Sequence, residues 1–515
     1  MKISLVFLIS LCFGLSACQS EWPQYDLVIK GAAILDGSGK DTLMNDLAIR
    51  GDTIVLLGKL AAGTYQAKRE IDGTGYILAP GFIDPHTHAL SDLSDEEKKA
   101  NLNYLYQGVT TVVVGSDGGS VIQIGAQLAE WEKNGIGTNA AIMVGHRTIR
   151  QRIMGMRNDP PTDEEMDNMK TLVAKGMNEG ALGLSTGLFY APASFAKTEE
   201  VIALARVAAE RGGMYDVHIR DESSYNIGLL AAIEENIRIA KEADIAVNIS
   251  HIKCLGVDVW GMSDQIIATI EAARKEGYRV TADQYPYRAS GTHLDRALLP
   301  DWVFANDPDY KTKLDSAALL PRIKAGIREN MRKRGGAASF LIINAPTTEW
   351  NGKYLSELAE EWQLDTIETA LKVIRNGSAA IASFNMQEQD IEKFMQKDWV
   401  MTGSDGSTNH PRKYGTFPKK IKEYVLEKKL LSLAEMIRKS TSLTASTYQI
   451  PKRGSVKEGY FADLILFKPE EIKDKATFID PNKLAEGMAF VIVNGKVVID
   501  HGTYTELLPG RVIRK

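Results

Sequence analysis

The chain has 515 residues, a net charge of −5 and 25% charged residues. That is more than one ordinary domain needs, enough for a large core plus a satellite. The mixed, slightly acidic surface carries no long basic tract, which excludes charge-driven nucleic-acid binding, and no apolar run after residue 20 is long enough to span a membrane.

The first element in the chain is a targeting segment. Lys2 supplies a positive start, Ile3 to Leu15 is a short apolar run, and Leu15-Ser16-Ala17-Cys18 has the form of a bacterial lipobox. An ordinary cleaved signal with an incidental cysteine is the alternative. On the lipobox reading residues 1–17 are a lipoprotein signal peptide and Cys18 becomes the lipidated N-terminus. Several acyl chains on one residue exceed the two signals that stable anchoring requires. Residues 18–25 are then a tether of roughly 25 Å at full extension. The expected location is the bacterial periplasm or cell surface, lipid-anchored to a membrane. Cys12 is removed and Cys18 is capped, so Cys254 has no partner for a disulfide.

From 26 to 75 the pattern is β: DLVIKGAAIL, DLAIRG and TIVLLG alternate and break at Gly and Asp. YFADLILFKP and FVIVNGKVVIDHG repeat that pattern within 451–515. Both ends together predict one small β-sandwich-like domain. Between them, over 76–450, strands alternate with helices. GFIDPHTH, TTVVVGSDG, AAIMVGH, ALGLSTGL, GMYDVHIR, AVNISHIK, RVTADQYPY and WVMTGSDG are eight strand candidates that end in small or polar residues. Ser94-x-x-Glu97, Thr162-x-x-Glu165 and Ser432-x-x-Glu435 have the form of capping boxes that open helices. Eight alternating units predict an α/β fold, a (β/α)8 TIM-type barrel. FLIINAP and AAIASF add two further strands, so 296–376 is expected to hold an insertion between the seventh and eighth barrel strands that folds partly over the site as a lid.

The residues that carry chemistry stand at the C-terminal ends of these strands. His86 and His88 are two apart, which on an extended strand points both imidazoles to one side. His218 ends the fifth strand, His251 the sixth, and Asp405 follows the eighth. In a barrel those ends converge on one face, so the five residues predict a metal centre. Zinc is the expected ion, one or two per site. A bound ion of this kind brings the pKa of water to about 7 and polarises an amide carbonyl. Asp405 beside it can take a proton from water and deliver it to a leaving amine, or serve as ligand only. Arg412 in HPRK can hold a substrate carboxylate bidentately. Tyr190 in GLFYAP and Tyr285 in QYPY can donate to that carboxylate or to a developing oxyanion, or simply pack at the rim. His146 with Arg147, His410 and His293 are candidates for supporting positions, and His501 for the surface.

The stretches PGFIDPHTH, QGVTTVVVG, GHRTIR, LSTGLFYAP, HIRDE, SHIKCLG, YPYRASGT, TGSDG and HPRKYGTFP resemble the amidohydrolase superfamily and, within it, the N-acyl-D-amino-acid deacylase (D-aminoacylase) family, from about Asp26 to Ile499. The resemblance implies that His86, His88 and Asp405 form one metal site and that His218 and His251 hold the adjacent one. It also implies that Asp405 moves the proton and that Arg412 binds the substrate. Several members complete the second site with a cysteine in a Gly-Asn-Cys-Gly stretch. Here the stretch is Gly115-Ser116-Asp117-Gly118, and Asp117 stands in the cysteine's place, as a ligand or as a turn residue. A carboxylate is harder than a thiolate, so Mn²⁺ or Co²⁺ become alternatives to zinc. Other amidohydrolases bridge two metals with a carbamylated lysine that ends the fourth strand. That strand has no lysine here, and Lys253 is a weak substitute. The implied reaction is hydrolysis of the amide of small-molecule N-acyl amino acids, of the D series on the strength of the resemblance alone. The rivals are a dipeptidase for D residues or a cyclic amidase on the same scaffold, and a binding lipoprotein without catalysis. Nothing in the sequence sets the oligomeric state.

Overall fold

The computed structural model describes residues 22–40, 42–307 and 309–515. The signal segment and Cys18 lie outside these residues.

Eight strands form the expected barrel: Phe82–Asp84, Val109–Val114, Asn139–Ile142 continued by Val144–Gly145, Gly183–Gly187, Met214–His218, Val247–Ile249, Val280–Gln284 and Val400–Thr402. Neighbours pair in parallel in chain order, and the third strand is split at Met143. The ring closes between the eighth strand and the first, where the Asp405 N–H donates to the His86 carbonyl at 2.9 Å and Thr87 bridges Gly406. Helices outside and side chains inside cover both faces, so every residue of Val109–Val114, its two threonines included, is buried. Polar residues fill part of the floor. The Asn248 amide donates to Asp216 at 2.9 Å and to Asp283 at 2.7 Å, and the Tyr448 hydroxyl donates to Asp216 at 2.9 Å.

Both chain ends build the satellite. One sheet orders Thr53–Gly58, Asp46–Arg50, Gln24–Lys30 and Gln66–Asp72. The other runs from Thr503–Tyr504 through Lys496–Asp500, Met488–Val493, Leu464–Phe467 and Ile77–Pro80 to Ala33–Ile34 and Leu43–Met44. Leu27, Ile29, Leu47 and Ile49 of the first pack against Ile34, Leu78, Leu464 and Ile492 of the second. Residues 77–80 pair with Leu464–Phe467, so the change from satellite to barrel falls at Gly81 rather than at 76. Only glycine fits there, since a Cβ would lie 2.2 Å from the Thr110 hydroxyl. The last residues return to the barrel, with Ile513 N–H donating to the Ala140 carbonyl at 2.8 Å.

Between the seventh and eighth barrel strands the chain makes a long excursion. Ala289–His293, Ala380–Phe384 and Phe340–Asn344 form an antiparallel sheet in that order, backed by the helices Leu320–Lys333, Leu355–Trp362 and Thr366–Arg375. Because residues 289–293 pair with 380–384, the excursion is wider than 296–376. It has its own core around Leu298, Ile323, Phe340, Leu358 and Ile374.

Thr162 and Ser432 cap the helices Asp163–Asn178 and Leu433–Ser440. Ser94 does not open a helix. It follows the short helix Leu90–Leu93, and its hydroxyl accepts from the Trp131 indole at 2.9 Å, a tertiary partner that overrides the local pattern.

Candidate metal centre

His86 lies two residues beyond the first barrel strand. Its N–H and that of Ser404 both donate to Asp84, at 3.2 and 3.0 Å, which locks the ends of the first and eighth strands together. Full burial pushes the Asp84 carboxyl up to about 7 against those hydrogen bonds. Thr87 turns away and donates to the Val113 carbonyl, so the histidines on either side project together.

Asp117 occupies the middle of the site. Its Oδ1 lies 3.5 Å from His86 Nε2, His218 Nδ1 and His251 Nε2, and its Oδ2 lies 3.5 Å from His88 Nε2. Asp405 Oδ1 stands 3.0 Å from His88 Nε2 and 3.6 Å from His86 Nε2. Two donor groupings result, His86, His88, Asp117 and Asp405, and Asp117, His218 and His251, with Asp117 common to both. Ligand atoms about 2.1 Å from one tetrahedral ion are about 3.4 Å apart, the spacing seen here. Both ring nitrogens of His86 and of His218, and Asp117 Oδ1, are buried without a hydrogen-bond partner. Orphaned imidazole and carboxylate donors at that spacing fit one or two divalent cations.

The backbone holds three of these groups under strain. Asp117, His251 and Asp405 have φ of 54°, 39° and 47°. Side chains avoid that region at a cost of about 1–3 kcal/mol each, tolerated where the surroundings dictate it. At Asp117 the end of the fourth strand presses on the turn: a Cβ on Gly187 would lie 2.3 Å from the Asp117 carbonyl oxygen.

Electrostatics match the geometry. Burial would raise the Asp117 carboxyl, but His86 and the other imidazoles hold it well below the usual carboxylate range. Burial would lower His86, but Asp117 and Asp405 push it up to about 10. Asp405 is held down by Arg412 and His251 against its own burial.

Behind the cluster stands Glu222, which was not singled out from sequence. Glu222 Oε1 lies 3.1 Å from His251 Nδ1, on the edge of the ring away from Asp117, which Nε2 faces. Lys253 donates to the same Glu222 oxygen at 2.5 Å and lies 2.8 Å from His251 Nδ1, which gives its ammonium an anionic partner beside the cluster rather than a place between two ions. Glu222 stands in HIRDE, four residues after His218. That spacing was a signal available to sequence reasoning.

Arg412 is buried and in contact with the cluster. Its Nη1 lies 2.8 Å from Asp405 Oδ2, its Nη2 donates to the Ser407 hydroxyl at 3.1 Å, and its guanidinium lies over the Tyr285 ring at 4.7 Å. The Tyr285 hydroxyl is buried without a partner, and the Tyr190 ring lies 4.9 Å from that of His218. His410 supports Arg412 by accepting its N–H at 3.2 Å. His146 is elsewhere, paired with Glu200 at 2.8 Å, and His501 is on the surface. A cavity of about 420 Å³ opens over the cluster, lined by Tyr190, Tyr285 and Arg412 and, from the excursion, by Thr292, His293 and Arg334. His88 is the most open of the six histidine and aspartate groups of the cluster, its side chain 37% exposed.

The profile of the amidohydrolase family matches residues 69–499. D-aminoacylase of Alcaligenes xylosoxydans xylosoxydans is 33% identical, over 96% of this chain and 99% of its own. N-acyl-D-glutamate deacylase of the same organism is 31% identical, over 95% and 96%. Among solved structures, N-acyl-D-glutamate deacylase from Bordetella bronchiseptica, complexed with zinc and a phosphonate mimic of the tetrahedral intermediate, superposes with a TM-score of 0.82 at 31% identity, covering 96% of this chain and 100% of that one.

Proposed function

The chain belongs to the amidohydrolase family, in its D-aminoacylase branch, and from that membership we propose that it is a metal-dependent deacylase of N-acyl-D-amino acids. It hydrolyses the amide to a carboxylate and a free amino acid. The observation that carries this reading is the convergence of His86, His88, Asp117, His218, His251 and Asp405 under one cavity, in a chain that aligns with a D-aminoacylase over 96% of its length.

Those six residues would hold one or two divalent ions, zinc first. Such an ion, when bound, supplies Lewis acidity that polarises a carbonyl and acidifies water. The chain's own groups do the rest. Asp405, kept ionised by Arg412 and His251, accepts a proton from the attacking water and returns it to the leaving nitrogen. Arg412, stacked on Tyr285, receives the α-carboxylate, and the hydroxyls of Tyr285 and Tyr190 orient the substrate. Glu222 and Lys253 hold the His251 ring in place at its Nδ1 edge. Turnover of N-acetyl-D-methionine against its L isomer by zinc-loaded enzyme tests this. Hydrolysis of the D isomer is expected, and hydrolysis of neither it nor any other N-acyl amino acid would end the proposal.

Arg412→Lys should raise KM and lower kcat/KM about 10²-fold. An ammonium cannot keep the Asp405 and Ser407 contacts, the stacking on Tyr285 and a bidentate carboxylate together, a loss of about 2–3 kcal/mol. An unchanged kcat/KM would mean that the carboxylate is held elsewhere.

The lipobox at Leu15 to Cys18 supports a further part of the reading, that the enzyme is a lipoprotein on the periplasmic or outer face of a bacterial membrane. Among the described residues no helix is long and apolar enough to cross a membrane. Cys18→Ala should therefore release the protein from the membrane fraction. Continued sedimentation with membranes would remove the lipid anchor.

A further inference from the structure

The cavity above the metal centre is more cationic than a single substrate carboxylate requires. Five cations line it, Arg147, Lys253, Arg296, Arg334 and Arg412, against three carboxylates, Asp117, Glu222 and Asp405. Each carboxylate is already engaged. Asp117 and Asp405 face the imidazoles, Asp405 also pairs with Arg412, and Glu222 pairs with Lys253. A divalent ion adds further positive charge. Of the remaining cations, Arg296 leans on Phe304 at 4.1 Å and lies 3.7 Å from Asp295, and Arg147 is half-buried.

Arg334 is different. It is 2% exposed, yet no acidic side chain stands within ion-pair range among the described residues, and its Nε is buried without a hydrogen-bond partner. It follows directly on the helix Leu320–Lys333 of the excursion. Its guanidinium lies 5.6 Å from the centre of the Tyr225 ring. With the Asn385 amide oriented to satisfy its neighbours, the amide oxygen accepts from Arg334 Nη1 at 3.1 Å and from the Ser290 hydroxyl at 3.0 Å. A buried guanidinium held by aromatic and neutral polar groups alone retains an uncompensated charge. It faces a cavity whose Ser290 wall it shares.

We propose that Arg334 is a specificity-determining residue that receives a second carboxylate of the substrate, so that the preferred N-acyl amino acid has an acidic side chain of the aspartate or glutamate type. The inference rests on the deacylase reading above and deepens it. Arg412 touches Asp405 at the reacting end. Arg334 makes no hydrogen bond or ion pair with the imidazole–carboxylate cluster, so the group it meets lies away from the scissile amide. A planar guanidinium bound at Nη1 by Asn385 retains donors that no protein group uses, Nε among them, and lines the cavity into which a carboxylate would come.

The test compares zinc-loaded wild type and Arg334→Gln on N-acetyl-D-glutamate and N-acetyl-D-aspartate, and on the neutral isosteres N-acetyl-D-glutamine and N-acetyl-D-asparagine. Wild type should favour an acid over its amide by more than about 10-fold in kcat/KM. The substitution should cost about 10²-fold on the acids and less than about 3-fold on the amides, the loss of one charged hydrogen-bonded contact. Equal losses on both, or a wild type indifferent to the charge, would overturn the proposal. If Arg334→Gln does not fold, the wild-type ratio decides alone. If no compound is hydrolysed, the deacylase reading fails. Calorimetric binding of the same four compounds to the zinc-loaded protein then still reads the charge preference, with tighter binding of the acids expected.

Discussion

Asp405→Asn is expected to lower kcat by about 10²–10⁴-fold while the barrel stays folded, the range that a positioned general acid–base group contributes. The asparagine keeps the size of the side chain but loses the capacity to take and return a proton. The backbone reason for the fold to survive is the Asp405 N–H, which closes the ring on the His86 carbonyl and is unaffected by the change. The cost falls on Arg412, whose buried guanidinium loses its one carboxylate partner at 2.8 Å. A lowered melting temperature with native circular dichroism is therefore expected beside the loss of turnover. Zinc content of the variant separates the two roles open to this residue. Retained metal with lost kcat marks a proton carrier, and lost metal marks a ligand. Wild-type-like kcat would remove Asp405 from both.

The second large effect is expected at Asp117. Its Oδ1 is 3.5 Å from three imidazole nitrogens, and both donor groupings include it. Asp117→Ala should strip zinc from the protein and reduce activity to that of the metal-free enzyme, because four imidazoles would then lose the anion at their centre. Asp117→Cys should retain zinc and shift selectivity toward it and away from Mn²⁺, since thiolate is the softer donor. Metal analysis after dialysis checks both variants. The wild-type cluster should also bind metal more weakly as pH falls. His86, pushed up to about 10, carries a proton in the metal-free protein, and metal must displace it. Full metal retention by Asp117→Ala would make Asp117 a turn residue after all.

The barrel was legible in the sequence for a simple reason. The strands are short, almost wholly buried segments that end where the chain meets the polar mouth, as Val109–Val114 ends at Gly115-Ser116-Asp117. The same regularity places His86, His88, His218, His251 and Asp405 at strand ends before any coordinate is known. Features that depend on distant partners were not legible. Ser94 has the local form of a helix cap, but Trp131 claims its hydroxyl. The satellite extends to Pro80 because Leu464–Phe467, nearly 400 residues on, pairs with it. Arg412 reads as a free substrate ligand, whereas in the folded chain it also neutralises Asp405. Arg334 carries no motif at all. Only its burial beside the cavity, without a counter-charge, makes it conspicuous.

Catalysis by this chain depends on a cation held where the strand ends converge. Crystals of the zinc-loaded protein, with anomalous data on either side of the zinc edge, test this most directly. The expected result is a strong anomalous peak bonded to Asp117 together with His218 and His251, or with His86 and His88, at about 2.0–2.2 Å. Zinc found only on surface groups, with these side chains left hydrogen-bonded to one another, would contradict it.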